Sequence, residues 1–327
     1  MANPADIVDI IQTPALIKDD FIKAGKVVVD EKGNPIHYVG GFAVVFPFYV
    51  KNEKWAFRCW YNNVGNIGKR LKLLSEELSK VNLPYFCHFQ YIDNGIVLDG
   101  AIKPTTRMFW IDGLNIKEYI CKNANDSIKL KKLASDFKQM CSNLHHTRIA
   151  HGDLQHGNII VDEEGMIFLI DYDSLYLPAL NGEKDIILGL AAYQHPSRIH
   201  GGNIYAHEKL DYFSELIIYL SILAVAEFPS LVNELNIQNC DNLLFTKDDY
   251  NNIKSSSIYN IFNNFSDEIQ LLLNILEEYL NHDSILDLKP FESYLESNDY
   301  SKFCIKCGSE FCKKEDCYCI ECGTKRI

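Results

Sequence analysis

The chain has 327 residues, 47% hydrophobic and 23% charged, with a formal net charge of −12. That acidic excess argues against a general binder of nucleic acid or anionic membranes. The length leaves room for a two-part domain of about 250–300 residues plus a small appendage. The opening MANPADIVDI lacks the basic start and apolar run of a signal peptide. The longest apolar run, Leu216–Ala226, is bracketed by Glu215 and Glu227 and is too short to span a bilayer, so it reads as a buried helix. Of eleven cysteines, six crowd into the last 24 residues in metal-binding spacing, which points to a cytoplasmic protein rather than a disulfide-bonded one.

In chain order, residues 1–35 hold a short helical stretch at Ile7–Ile11 and then KVVVDEKGNP, a strand ending in a turn. This lead-in is expected to pack against the first lobe of the main body. HYVGGFAVVFPFYV and KWAFRCWY read as strands, with Arg58 alternating between apolar neighbours and Lys54 on the same face. Asn66–Val81 is predicted helical, because Ile67, Leu71, Leu74 and Leu78 form one apolar stripe. Glu77 lies beside that stripe and Glu76 points away from it. Tyr85–Ile92 and Ile96–Leu98 read as strands around a turn at Asp93-Asn94-Gly95. Ile128–Thr147 has helical periodicity, and His145 and His146 suit its negative end better than a metal. Ile269–Leu280 is another amphipathic helix, and the main body ends near residue 298.

The most informative stretch is His151–Tyr172, a loop followed by a hairpin, NIIV and MIFLI about DEEG. With Glu164-Gly165 as a two-residue turn, Ile159 faces Ile170, Val161 faces Phe168, and Asn158 faces Asp171. Asp153 lies five residues upstream in the loop leading to the same end. An acid, an amide and a second acid converging there suit a magnesium ion and a hydroxyl that attacks a phosphate.

HGDLQHGN followed by LIDYD resembles the catalytic loop and metal-binding segment of the protein-kinase-like superfamily, H-R-D-x-x-x-x-N and D-F-G. Together with YQHP it is similar to a bacterial group of eukaryotic-like kinases. The resemblance implies an α+β, two-lobed fold: a small antiparallel lobe with one main helix over residues 36–110, and a larger, mostly helical lobe over 111–298. It implies that Asp153 is the catalytic base or orients the substrate hydroxyl, that Asn158 and Asp171 bind Mg²⁺, and that Arg58 holds ATP phosphates in a pair with Glu77. Aligned on Phe42, the glycine-rich strand turn retains Gly40 and Val45, with Gly41 extra. Ala56 of W-A-F-R, Met108 and Trp110 would line the adenine site. His151 would be a packed structural histidine, and Asp211 would brace the catalytic loop. His156 is expected on the loop surface. GLAAYQHPS would form the substrate shelf, matching at Gly189, Tyr193 and Pro196.

The pattern departs from the family at several points. Arg58 replaces the usual lysine, Gly152 the arginine of H-R-D, and Gln155 a lysine. Asp173 replaces the glycine of D-F-G, where it could bind a second Mg²⁺ or cap the segment. The tail, residues 299–327, resembles a zinc ribbon: Cys304-x-x-Cys307-Gly and Cys319-x-x-Cys322-Gly are two thiolate knuckles able to hold structural Zn²⁺, with Cys312 and Cys317 left over. It would dock a partner protein or another subunit. The expected activity is Mg-ATP-dependent transfer to Ser or Thr of a protein substrate. A pseudokinase scaffold is the alternative, and a small-molecule kinase the third reading.

Overall fold

The structure, a computed structural model, describes residues 3–61, 65–185, 187–200, 205–262, 265–298, 306, 309 and 318–324. Helix α1 (Pro4–Ile11) starts at a capping box in which Asn3 accepts from the amides of Ala5 and Asp6 while Asp6 accepts from that of Asn3. Its Ile7, Ile10 and Ile11 are buried, together with Ile22 of α2 (Asp20–Lys23), in a core shared with the first sheet.

That sheet is antiparallel. Strands β1 (Lys26–Val27) and β2 (Tyr38–Val39) both pair with β3 (Ala43–Val50). Beyond β3 lie β4 (Glu53–Trp60), β6 (Ala101–Phe109) and β5 (Phe89–Leu98), in that order. Strand alternation sends Val44, Phe46, Phe48, Trp55, Phe57 and Cys59 into the core beneath α1. The turn expected at Asp93-Asn94-Gly95 is a bulge within one long strand, and the hairpin closes instead at Asp99-Gly100, both at positive φ. Gly95 is needed at the bulge because a Cβ there would lie 2.1 Å from Thr105 Oγ1.

Helix α3 (Gly65–Leu78) crosses from this sheet to the helical body. Leu71 packs with Ala43 and Trp60, while Leu74 and Leu78 join the large core. A small sheet comes next, formed by β7 (Leu114–Asn115), β8 (Ile159–Val161) and β9 (Ile167–Leu169). The helical body comprises α4 (Ile116–Lys122), which packs on this sheet, and α5 (Ser127–Thr147), α6 (Pro196–His200), α7 (Tyr212–Glu227), α8 (Leu231–Glu234), α9 (Ser257–Ile261), α10 (Asp267–Leu280) and α11 (Phe291–Asn298). Helix α7 is buried on all sides from Tyr212 to Ala226, which explains an apolar run with no polar face. The fold is α+β with antiparallel sheets, and no helix among the described residues is long and apolar enough to cross a membrane.

His145, at the end of α5, does more than face a helix terminus. Its Nε2 lies 2.8 Å from Glu215 and its Nδ1 2.5 Å from Glu292, joining α5, α7 and α11. Burial alone would lower its pKa, but the charge of Glu215 and hydrogen bonds to both acids outweigh this and raise it from 6.5 to about 10. A pKa raised in the folded state stabilises fully below 6.5 and loses that contribution as pH climbs toward about 10. Thermal unfolding followed across this range should therefore show a falling melting temperature. His145→Gln should lower stability at neutral pH and flatten that slope; an unchanged slope would show that His145 is not the group responsible.

Candidate functional site

Gly165 decides the geometry of the hairpin. It adopts φ +84°, its amide donates to Asp162 O at 3.1 Å, and Asp162 N–H donates to Met166 O. The loop therefore has three residues, a turn followed by a left-handed glycine, rather than the two expected from sequence. The register moves by one: Ile159 faces Leu169 and Val161 faces Ile167. All four of these side chains are buried, whereas the expected register would have paired buried residues with half-buried ones. Asn158 is consequently opposite Ile170, and Asp171 lies one residue past the pair. Asp171 itself takes φ +63°, a left-handed conformation tolerated by aspartate but costing of order 1 kcal/mol.

The loop before the hairpin is pinned from below. Asp211, 1% exposed, accepts the backbone N–H of Gly152 at 2.9 Å and that of His151. His151 is fully buried, and its Nε2 donates to Ile170 O at 2.8 Å. Asn158 Nδ2 donates to Asp153 O at 2.8 Å and to its Oδ2 at 3.2 Å. With the amide nitrogen so engaged, the amide oxygen of Asn158 is the atom left for a cation. The Asp171 side chain is 47% exposed and open to one as well. Burial, helped by the charge of Asp171, raises the pKa of Asp153 against the opposing pull of His151 and Arg198. Gly152 stands where the family pattern has arginine because the chain passes too close for any side chain: a Cβ would lie 2.4 Å from Ser174 O, and φ is +80°. Gln155 caps its own turn, accepting from Gly157 N–H at 2.7 Å.

Arg58 reaches this loop from β4. Its Nη1 donates to Asp171 Oδ1 at 3.2 Å and to Asp173 Oδ1 at 2.7 Å, and Nη2 donates to Asp173 Oδ2 at 2.7 Å. Burial would lower the arginine pKa, but the two carboxylate charges raise it. The expected pairing of Arg58 with Glu77 is replaced by this one, because Glu77 turns to Lys80, two residues past the end of its helix, at 2.7 Å. Helix α3 contributes Arg70 instead. Its Nη2 donates to Leu175 O at 2.8 Å and its Nε to Asp173 O at 3.3 Å. Tyr172 OH accepts from Cys87 N–H at 2.8 Å and donates to Leu169 O at 2.7 Å, tying the segment to the chain entering β5.

The sheet register puts Val45 opposite Arg58 and Ala56 opposite Met108. By strand alternation Val45, Ala56, Arg58, Met108 and Trp110 thus share the half-buried face, away from the α1 core. Lys54, on that face too, binds Asp112 at 2.8 Å and lies 4.5 Å over the Trp110 ring, so it does not compete with Arg58. Gly40 and Gly41, between β2 and β3, border open space: a Cβ at Gly41 would meet nothing within 4 Å among the described residues.

Beyond the hairpin, Arg198 is fully buried and ion-paired with Asp185, Nε to Oδ2 at 2.8 Å and Nη2 to Oδ1 at 3.1 Å. Its Nη1 donates to Gln194 Oε1 at 2.6 Å. Gln194 Nε2 and Asp153 Oδ1 are buried without a hydrogen-bond partner among the described residues. Both face Gly189, where a Cβ would lie 3.0 Å from the first and 2.5 Å from the second. His156 is half-buried rather than a surface residue. Its Nδ1 sits 2.7 Å from Tyr193 OH, and burial with the charge of Lys117 lowers its pKa to about 4.

No protein-family model and no curated protein matches this chain.

In the tail, Cys304, Cys307, Cys312 and Cys317 lie outside the described residues. Around Cys319 and Cys322 the chain makes a tight turn, with Gly323 at φ +71° donating to Cys319 O at 2.8 Å. Several residues of the site went unread in the sequence. Arg70 shares a helix face with Leu74 and Leu78, and a cation on an apolar stripe was a usable signal. The hydroxyl of Tyr172, absent from D-F-G, was another. Asp185 and Arg198 carried no local signal, because they pair across 13 positions, and Gln194 was read only as part of YQHP, not as the partner of Arg198.

Proposed function

We propose that this chain is a Mg-ATP-dependent phosphotransferase of the two-lobed protein-kinase-like fold, acting on Ser or Thr hydroxyls of a polypeptide. One observation carries the reading. Arg58, on the sheet face bearing Val45, Ala56, Met108 and Trp110, touches Asp171 at 3.2 Å, beside the loop that carries Asp153 and Asn158. The apolar part of that face would take a nucleotide base, and the backbone at Gly40 and Gly41 has room to approach phosphates. Bound Mg-ATP supplies the phosphoryl group and the cation that neutralises its charge. Asn158 and Asp171 would hold the cation and Arg58 phosphate oxygens, while Asp153 would orient the acceptor hydroxyl and take its proton as the new O–P bond replaces the one to ADP. Asp173 is engaged with Arg58, which favours a role in the cation–carboxylate cluster over a second metal site.

A structural Zn²⁺ in a C-terminal ribbon, a partner docked there and a cytoplasmic setting belong to the same reading and rest on the thiol spacing of the tail. A scaffold without efficient transfer is the second reading. It is favoured by Gly189, which lies over the Asp153 carboxylate. Incubation of the full chain with γ-labelled ATP and a mixed protein substrate, with and without Mg²⁺, tests the first reading. Mg²⁺-dependent label on Ser or Thr is the expected result. A nucleotide-induced rise in melting temperature without label transfer supports the scaffold, and neither response removes the nucleotide site.

A further inference from the structure

Two departures from the family pattern meet in space. The guanidinium of Arg58 engages Asp173 edge to edge, through two bonds of 2.7 Å, while Nη1 also reaches Asp171 at 3.2 Å. A lysine ammonium is a point charge and lacks the planar fork that matches one carboxylate with two parallel bonds. An arginine at 58 can therefore bind an acid at 173 through both Nη atoms, which a lysine could not, and the acid at 173 gains a partner for its partly buried charge. Their side chains are 23% and 18% exposed, so solvent screens the pair only in part. Asp173 is itself fixed from α3, since Arg70 grips the carbonyls of Asp173 and Leu175. Glu77, on the same helix, is spent on Lys80.

We propose that Asp173, and not Glu77, is the positioning residue for Arg58, with Arg70 holding Asp173 in place. The role of Arg58 toward phosphate rests on the phosphotransferase reading; the pairing itself does not. Guanidinium carries five N–H groups. Three are aimed at Asp171 and Asp173, leaving Nε–H and one Nη2 hydrogen for phosphate oxygens. The segment that carries the cation ligand thus also presents the phosphate-binding arginine, and the position of α3 is felt through Arg70.

The test uses the full chain with Asp173→Asn, Asp173→Glu and Glu77→Gln, read first as kcat and KM for ATP at saturating Mg²⁺. Asp173→Asn is expected to raise KM about tenfold or more, Asp173→Glu to recover most of that loss, and Glu77→Gln to move KM by no more than about twofold. An unchanged KM in Asp173→Asn, or the larger loss in Glu77→Gln, overturns the proposal. The second measurement is thermal unfolding without nucleotide. Asp173→Asn should lower the melting temperature, and adding Arg58→Met should restore part of it, because no partly buried guanidinium is then left facing an amide, while Asp171, which also loses Arg58, is half exposed to water. Additive losses, or rescue of Glu77→Gln by Arg58→Met instead, refute the pairing. If the unmodified chain responds to no nucleotide, the phosphotransferase reading falls while the unfolding cycle still decides which acid holds Arg58.

Discussion

Asp185→Ala is expected to cost about 3–5 kcal/mol of unfolding free energy, because it strands a charged guanidinium in the interior. Arg198 is 0% exposed and Asp185 3%, and the pair is joined by two hydrogen bonds. Water cannot replace the lost carboxylate, and the remaining contacts to Gln194 Oε1 and Ile187 O neutralise no charge. Replacing both partners by apolar residues, Asp185→Leu with Arg198→Met, should cost less than Asp185→Ala alone, since attraction and desolvation penalty vanish together. Urea unfolding measures both. A loss below about 1 kcal/mol for Asp185→Ala would show that water reaches the arginine after all. The pair joins the chain after the hairpin to α6, and Gln194 lies between it and the unpaired oxygen of Asp153. A milder variant that still folds is therefore expected to lose transfer activity before it loses nucleotide binding.

Asp153→Asn is expected to lower kcat by about 10²–10⁴-fold, the range spanned by a positioned acid–base group, with little change in nucleotide-induced thermal shift. The amide keeps the size of the carboxylate but cannot accept the hydroxyl proton. Because burial raises the Asp153 pKa above its ordinary 3.8, the acid limb of the rate profile should lie higher than for a free aspartate. In the proposed mechanism the group works when deprotonated, so the rate should fall as pH drops through that value. The limb should disappear in the variant. Rates of labelled phosphate transfer across pH check both points, and transfer at the unmodified rate would take Asp153 out of the mechanism.

The sequence was most legible where information is local. Helix α5 follows its periodic apolar residues to within one position of the expected start, and the β4 alternation puts Arg58 and Ala56 on one face. The loop His151–Asn158 and the acids after it stood out through their resemblance to a known catalytic-loop pattern, which lies within one short stretch. Errors came where a single residue chooses between two close arrangements. Gly165 could serve a two- or a three-residue loop, and Asp93-Asn94-Gly95 competed with Asp99-Gly100 for the same hairpin. Each choice is settled by which side chains end up buried, a property of neighbours that no window of sequence contains.

By itself, then, the order of residues determined the helices and strands, the grouping of acids and amide around the hairpin, and the thiol spacing of the tail. All of these follow from local periodicity or from chemistry within a few positions. Only the tertiary structure decided who pairs with whom: Arg58 with Asp173 across 115 positions, Arg70 with the carbonyls beyond it, Asp211 with the loop backbone 59 positions earlier. An ion pair between distant residues depends on how two surfaces meet when water is excluded between them. That contact is selected by the packing of the whole chain, so a charged side chain announces its type in the sequence but not its partner.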